Sequence, residues 1–131
     1  MASDGKEKRV LIVEDDRAVR RILSVTLSRA GFSTVEADSG REALAEIDKA
    51  PFGAVLLDLG LPDGLGGAVL KRLQASPDGR PVWMIVSALD EDDAVRRYGP
   101  LKGIFVPKPF DPWDLVKRLE RLIESHHEDA P

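Results

Sequence analysis

Five apolar runs mark out the chain: Arg9–Glu14, Phe32–Ala37, Gly53–Asp58, Pro81–Ser87 and Gly103–Pro107. Runs of this length, rich in Val, Ile and Leu and set between turn residues, predict strands; all but the half-apolar Phe32–Ala37 read as fully buried. Between them the apolar period changes. From Arg17 to Ala30, Val19, Ile22, Leu23, Leu27 and Ala30 recur at the spacing of one helix face, and Gly31 stops the helix. Ser39-Gly40-Arg41-Glu42 is a capping box opening a helix to about Ala50, with Ala43, Leu44 and Ile47 inward and Pro51 at its end. A third helix is predicted around Gly67–Ser76 on Val69, Leu70 and Leu73, followed by the turn Pro77-Asp78-Gly79. A fourth is predicted over Asp90–Tyr98 on Ala94, Val95 and Tyr98. The last opens with Asp111 as N-cap and Pro112 at the first helical position, and runs to about Ser125 on Leu115, Val116, Leu119, Leu122 and Ile123.

Strands alternating with helices predict an α/β domain, a parallel sheet covered on both faces. Parallel strands with right-handed crossovers put all their C-terminal ends on one edge, where open α/β sheets bind ligands. That edge collects Glu14, Asp15, Asp16, Asp58, Ser87 and Lys108. Taken singly, each has a plain alternative. Asp16 reads as the cap of the first helix, Ser87 as a turn hydroxyl, and Lys108, between Pro107 and Pro109, as a solvated loop lysine. Delivered together by four strands, they form a constellation.

Composition narrows the chemistry. The 131 residues suffice for one domain with one core, and the net charge of −4 offers no basic excess for binding nucleic acid. There is no cysteine, so disulfides, thiol catalysis and zinc–thiolate sites are excluded. No apolar run approaches the roughly 20 residues needed to span a bilayer; the reading is a soluble, cytoplasmic protein. Converging carboxylates repel one another unless a cation is present. With oxygen ligands only, a hard cation is expected, Mg²⁺ ahead of Ca²⁺. A lysine and a hydroxyl beside it point to phosphoryl transfer, and an aspartate can itself be the nucleophile.

The chain resembles the receiver domain of two-component response regulators. The matching pieces are VLIVEDD (Val10–Asp16), LLDLGLPDGLG (Leu56–Gly66), VSA (Val86–Ala88) and FVPKPF (Phe105–Phe110), in the family's order over Arg9–Ser125. The resemblance implies a doubly wound, flavodoxin-like fold of five parallel strands in the order 2-1-3-4-5 with five helices. It implies Asp58 as phospho-acceptor, with Ser87 and Lys108 contacting the phosphoryl group. The implied Mg²⁺ site is Asp15 directly, Glu14 through water, Asp58, and the backbone carbonyl of Gly60. Ser87 and Phe105 are the implied switch pair, and Lys108-Pro109 a bond that is commonly cis. The implied partners are a histidine kinase or histidine phosphotransfer protein and a downstream protein target, without DNA or membrane binding. A monomer is expected, its state after phosphorylation left open.

The expected organisation is a flexible segment at 1–8, the receiver at 9–125 and a flexible tail at 126–131, with no attached output domain expected. Three departures stand out. Leu101-Lys102-Gly103-Ile104-Phe105 replaces the usual acidic lead into the fifth strand, Phe105 lacks the hydroxyl of the commoner tyrosine, and Gly60 and Leu89 place no acid or amide beside the acceptor. Autodephosphorylation is therefore expected not to be specially accelerated. The chain would catalyse only its own phosphorylation and dephosphorylation. An aspartate-nucleophile phosphatase fits poorly, since Gly60 stands where its general acid would be. A phosphorylation-independent interaction domain is the remaining alternative. His126 and His127 read as solvated tail residues, and Trp83 and Trp113 as packing residues.

Overall fold

The computed structural model describes residues 8–101 and 104–129. The strands are β1 (Arg9–Val13), β2 (Ser33–Ala37), β3 (Ala54–Leu57), β4 (Val82–Ser87) and β5 (Ile104–Pro107). The helices are α1 (Arg17–Arg29), α2 (Gly40–Lys49), α3 (Gly66–Gln74), α4 (Glu91–Tyr98) and α5 (Pro112–Asp129). All strand pairings are parallel and the order is β2-β1-β3-β4-β5, as the resemblance implied.

Period-two alternation splits the strand residues between two apolar layers. Leu11, Val13, Val55, Leu57, Ile85 and Phe105 face one way, against Ala43 of α2, Val69, Leu70 and Leu73 of α3, and Ala94 of α4. Val10, Ile12, Ala54, Leu56, Met84, Val86 and Val106 face the other, against Leu23 and Leu27 of α1 and Leu115, Val116 and Leu119 of α5. Burial on both faces is why β1, β3 and β4 read as unbroken apolar runs rather than alternating ones.

Local signals act as the sequence suggested, with one adjustment. Asp16 caps α1, its carboxylate accepting the Val19 N–H at 3.1 Å. Ser39 Oγ accepts the Glu42 N–H at 3.1 Å, but Glu42 reaches back to the Asp38 N–H, one residue before the cap. Lys108-Pro109 is cis, and so is Arg80-Pro81.

Five expectations are corrected. Ile22 is 49% exposed, because the buried stripe of α1 runs through Leu23 and Leu27 and leaves Ile22 on its flank. Val95 of α4 and Trp113 in the first turn of α5 are also exposed, so Trp113 is not a core residue; Trp83 does pack against the α2/α3 layer. The last helix continues four residues past Ser125 to Asp129. His126 is half-buried on it and accepts an N–H from Arg80 Nε at 3.3 Å, so it packs on the turn before β4 instead of lying free. Lys102 and Gly103, part of the unusual lead into β5, lie outside the described residues, as do 1–7 and 130–131. Among the described residues no helix is long and apolar enough to cross a membrane.

Candidate functional site

The register that builds the sheet also builds the site. Val13 of β1 pairs with Leu57 of β3, so the next residues, Glu14 and Asp58, leave adjacent strands side by side. The ladder runs past both strand ends: the Asp58 N–H reaches the Val13 carbonyl at 3.0 Å, and the Glu14 N–H the Ala37 carbonyl at 3.0 Å. On the other side, the Lys108 N–H reaches the Ser87 carbonyl at 3.0 Å and holds the start of the β5–α5 loop against β4. Backbone pairing alone therefore brings the ends of β1, β3, β4 and β5 together.

The side chains complete a charged knot. Lys108 Nζ lies 2.6 Å from Glu14 Oε1 and 3.1 Å from Asp58 Oδ2, bridging two carboxylates that are 2% and 6% exposed. Glu14 Oε2 accepts the Asp16 N–H at 3.0 Å, and Asp58 Oδ1 accepts the Gly60 N–H at 2.9 Å. Asp15 is exposed at the mouth, and ligand oxygens of Glu14, Asp15 and Asp58 lie within 4.8 Å of one another. Burial pushes the Glu14 carboxyl above the ordinary carboxylate range, only partly opposed by Lys108 and the Asp16 N–H. Burial also works against the Lys108 ammonium, but Glu14 and Asp58 outweigh it and hold its pKa above that of a free lysine. The donor set fits a hard divalent cation: three carboxylates, oxygen only, more negative charge than one lysine neutralises.

Ser87, the last residue of β4, is 1% exposed, and its hydroxyl accepts the Leu89 N–H at 3.2 Å. Phe105 is buried in the layer that also holds Ile85, Ala94, Leu89, Tyr98 and Leu101. Gly60 is exposed beside Asp58; a Cβ there would lie 3.6 Å from Asp58 Oδ1, so a side chain fits without a clash.

Two residues escaped the sequence reading of this site. Arg20 donates from Nη1 to the Glu14 carbonyl at 2.9 Å and from Nε to Glu36 Oε1 at 2.9 Å, bracing the β1–α1 loop. Its position one turn into α1 was visible, but its target was not. Asp63, read only as part of a turn, accepts N–H groups from Gly40, Arg41 and Leu65.

A parallel five-stranded sheet with a lysine-bridged acidic pair at its C-terminal edge defines a class, and comparison with known proteins agrees. The response regulator receiver domain model matches residues 10–120, and the chain belongs to that family. It is 32% identical over 128 residues to the DNA-binding response regulator MtrA of Mycolicibacterium smegmatis, an alignment covering 98% of this chain and 55% of that protein. The chain thus spans about half the length of the curated relatives it matches. Among solved structures, a CheY-like receiver domain protein from Methanospirillum hungatei superposes with a TM-score of 0.81 at 25% identity, over 94% of this chain and 98% of that one. A sensor protein from Polaromonas gives a TM-score of 0.78 at 30% identity, over 90% and 97%.

Proposed function

We propose that this chain is a phosphorylatable switch in which Asp58 accepts a phosphoryl group from the phosphohistidine of a histidine kinase or phosphotransfer protein. In that transfer a P–O bond forms to an Asp58 carboxylate oxygen while the P–N bond to histidine breaks. Most of the rate in such chemistry comes from positioning and charge neutralisation. The observation that carries the reading is the bridge from Lys108 Nζ to Glu14 at 2.6 Å and Asp58 at 3.1 Å, with Asp15 at the open side. Lys108 is the standing counter-charge for the phosphoryl oxygens, and the Gly60 N–H orients the acceptor carboxylate. Glu14, Asp15, Asp58 and the Gly60 carbonyl would hold Mg²⁺, which when bound supplies the charge neutralisation that one lysine cannot.

After transfer, Ser87 exchanges the Leu89 N–H for the phosphoryl group and Phe105 repacks in its layer, altering the surface of α4, β5 and α5. Phe105 has no hydroxyl, so the change is one of packing. The domain turns over no outside substrate; what it binds downstream, and whether it acts alone in the cytoplasm or within a longer regulator, follows from that surface and from what is attached. The region 9–125 is the receiver, with 1–8 and the residues from 126 onward as its ends.

The test is intact mass after incubation with a small phosphodonor, with and without Mg²⁺, on wild type and Asp58→Asn. One added phosphoryl group that needs both Mg²⁺ and Asp58 is the expected result. No gain under any condition would overturn the reading in favour of phosphorylation-independent binding.

A further inference from the structure

Helix α2 begins with amides that its own sequence does not fully satisfy. The first N–H groups of any helix lack intrahelical partners. In α2, Ser39 supplies one acceptor, for Glu42, and its carbonyl takes the Ala43 N–H. The Gly40 and Arg41 N–H groups go elsewhere, to Asp63 Oδ1 at 3.3 Å and Oδ2 at 3.0 Å. Asp63 lies in the loop that starts at Asp58. The same carboxylate accepts the Leu65 N–H at 3.2 Å, just before α3, whose N-cap Leu65 has no side-chain cap of its own. One exposed carboxylate thus ties the N-termini of two helices to the acceptor loop. A negative charge at a helix N-terminus is favourable, and these bonds, that from Arg41 foremost, hold the Asp63 carboxyl below the usual range.

Packing reinforces the tie from a second direction. A Cβ at Gly40 would lie 2.5 Å from Leu65 Cβ, so the α2 terminus and the end of the loop are in close approach. Leu59 and Leu61 are buried on the inner side of the loop. The stretch from Leu59 to Asp63 is therefore held by two buried leucines and the Asp63 clamp, and Gly60, within it, is the residue whose N–H holds Asp58.

We infer that Asp63 is a positioning residue of the acceptor site: by clamping the β3–α3 loop to α2 it sets the place of Gly60, and through Gly60 the orientation of Asp58 and the carbonyl offered to the cation. This rests on the acceptor reading above. Removing a group that hydrogen-bonds a metal ligand commonly costs roughly tenfold or more in affinity; Asp63 bonds no ligand itself and acts through the loop backbone, so tenfold is the upper end of its expected effect.

The experiment compares Asp63→Ala with Ser39→Ala. Both strip an acceptor from the first turn of α2, but only the first releases the loop. Two readouts are used. In metal-free protein, the Gly60 amide resonance should shift in Asp63→Ala and stay in place in Ser39→Ala. The Mg²⁺ midpoint for phosphorylation by a small phosphodonor should rise by roughly three- to tenfold in Asp63→Ala and change less than about twofold in Ser39→Ala. Equal shifts in both variants would mean that loss of helix capping is the cause and would overturn the inference. So would an unmoved Gly60 resonance in Asp63→Ala. If wild type accepts no phosphoryl group, the acceptor reading fails, while the Gly60 resonance still decides whether Asp63 positions the loop.

Discussion

Gly66 and Gly67 are neighbours at the start of α3 and meet two different regions, the loop after Asp58 and helix α4. A Cβ on Gly66 would lie 2.5 Å from the backbone oxygen of Leu59, inside the acceptor loop. A Cβ on Gly67 would lie 2.9 Å from the ring of Tyr98, at the end of α4. On the first side the close contacts are to backbone, and the loop is further held by the Asp63 carboxylate and by buried Leu59 and Leu61. On the second, α4 buries only Ala94 fully, leaves Val95 exposed and meets Gly67 through the edge of a side chain. Backbone contacts cannot be relieved by a rotamer change, whereas a ring can swing aside. Asp58, the proposed acceptor, is thus mounted on a stiff support, and α4, across β4, is held more loosely. A switch needs both, one to hold the chemistry and one to move.

The glycine pair gives the largest test of that contrast. Gly66→Ala should destabilise the fold by about 3 kcal/mol, since the Leu59 backbone must shift. Gly67→Ala should lie within about 0.5 kcal/mol of wild type, because the helix propensity gained by alanine offsets the displaced Tyr98 ring. Denaturant unfolding of the two variants checks this, and equal losses would break the comparison.

Next in size is Lys108→Met, which leaves Glu14 and Asp58 buried without their counter-charge. It should cost about 2 kcal/mol at pH 7 without metal, discounted for the partly open site. The folded pKa of Lys108 is raised, so its contribution is fully present below the free lysine value and is lost only as pH rises through the raised one. The Glu14 pKa is also raised, so its charged form penalises the folded state above that pKa, and the penalty fades as pH falls through it. The deficit of Lys108→Met should therefore shrink on acidification towards pH 4.5, the ordinary value for Glu14, and on adding Mg²⁺. Thermal melts across that range provide the measurement; a deficit that grows on acidification would contradict the assignment of charges.

The smallest expected effect concerns phosphoryl lifetime. Gly60 has room for a side chain beside Asp58, and Leu89 lies two residues past Ser87, whose hydroxyl accepts its N–H. Gly60→Asn combined with Leu89→Glu should shorten the lifetime about fivefold, near 1 kcal/mol of barrier, by orienting the attacking water. The single Gly60→Asn variant should account for most of the change, because its backbone does not move. An unchanged or longer lifetime in the double variant would remove the idea that autodephosphorylation lacks a side chain to position its attacking water.

The sequence by itself determined the alternation of strands and helices, the helix caps at Asp16 and Ser39, and the edge at which Glu14, Asp58, Ser87 and Lys108 meet. These follow from local signals: apolar period, turn residues, and the rule that parallel strands end on one edge. The tertiary structure decided that Ile22 and Trp113 face solvent, that His126 packs on the turn at Arg80, and that Asp63 caps a helix begun more than twenty residues earlier. Periodicity names an apolar stripe, but which flank of it is covered depends on the neighbour across the sheet. A carboxylate in a turn shows no partner until the fold brings unpaired amides to it, and no spacing along the chain encodes that meeting.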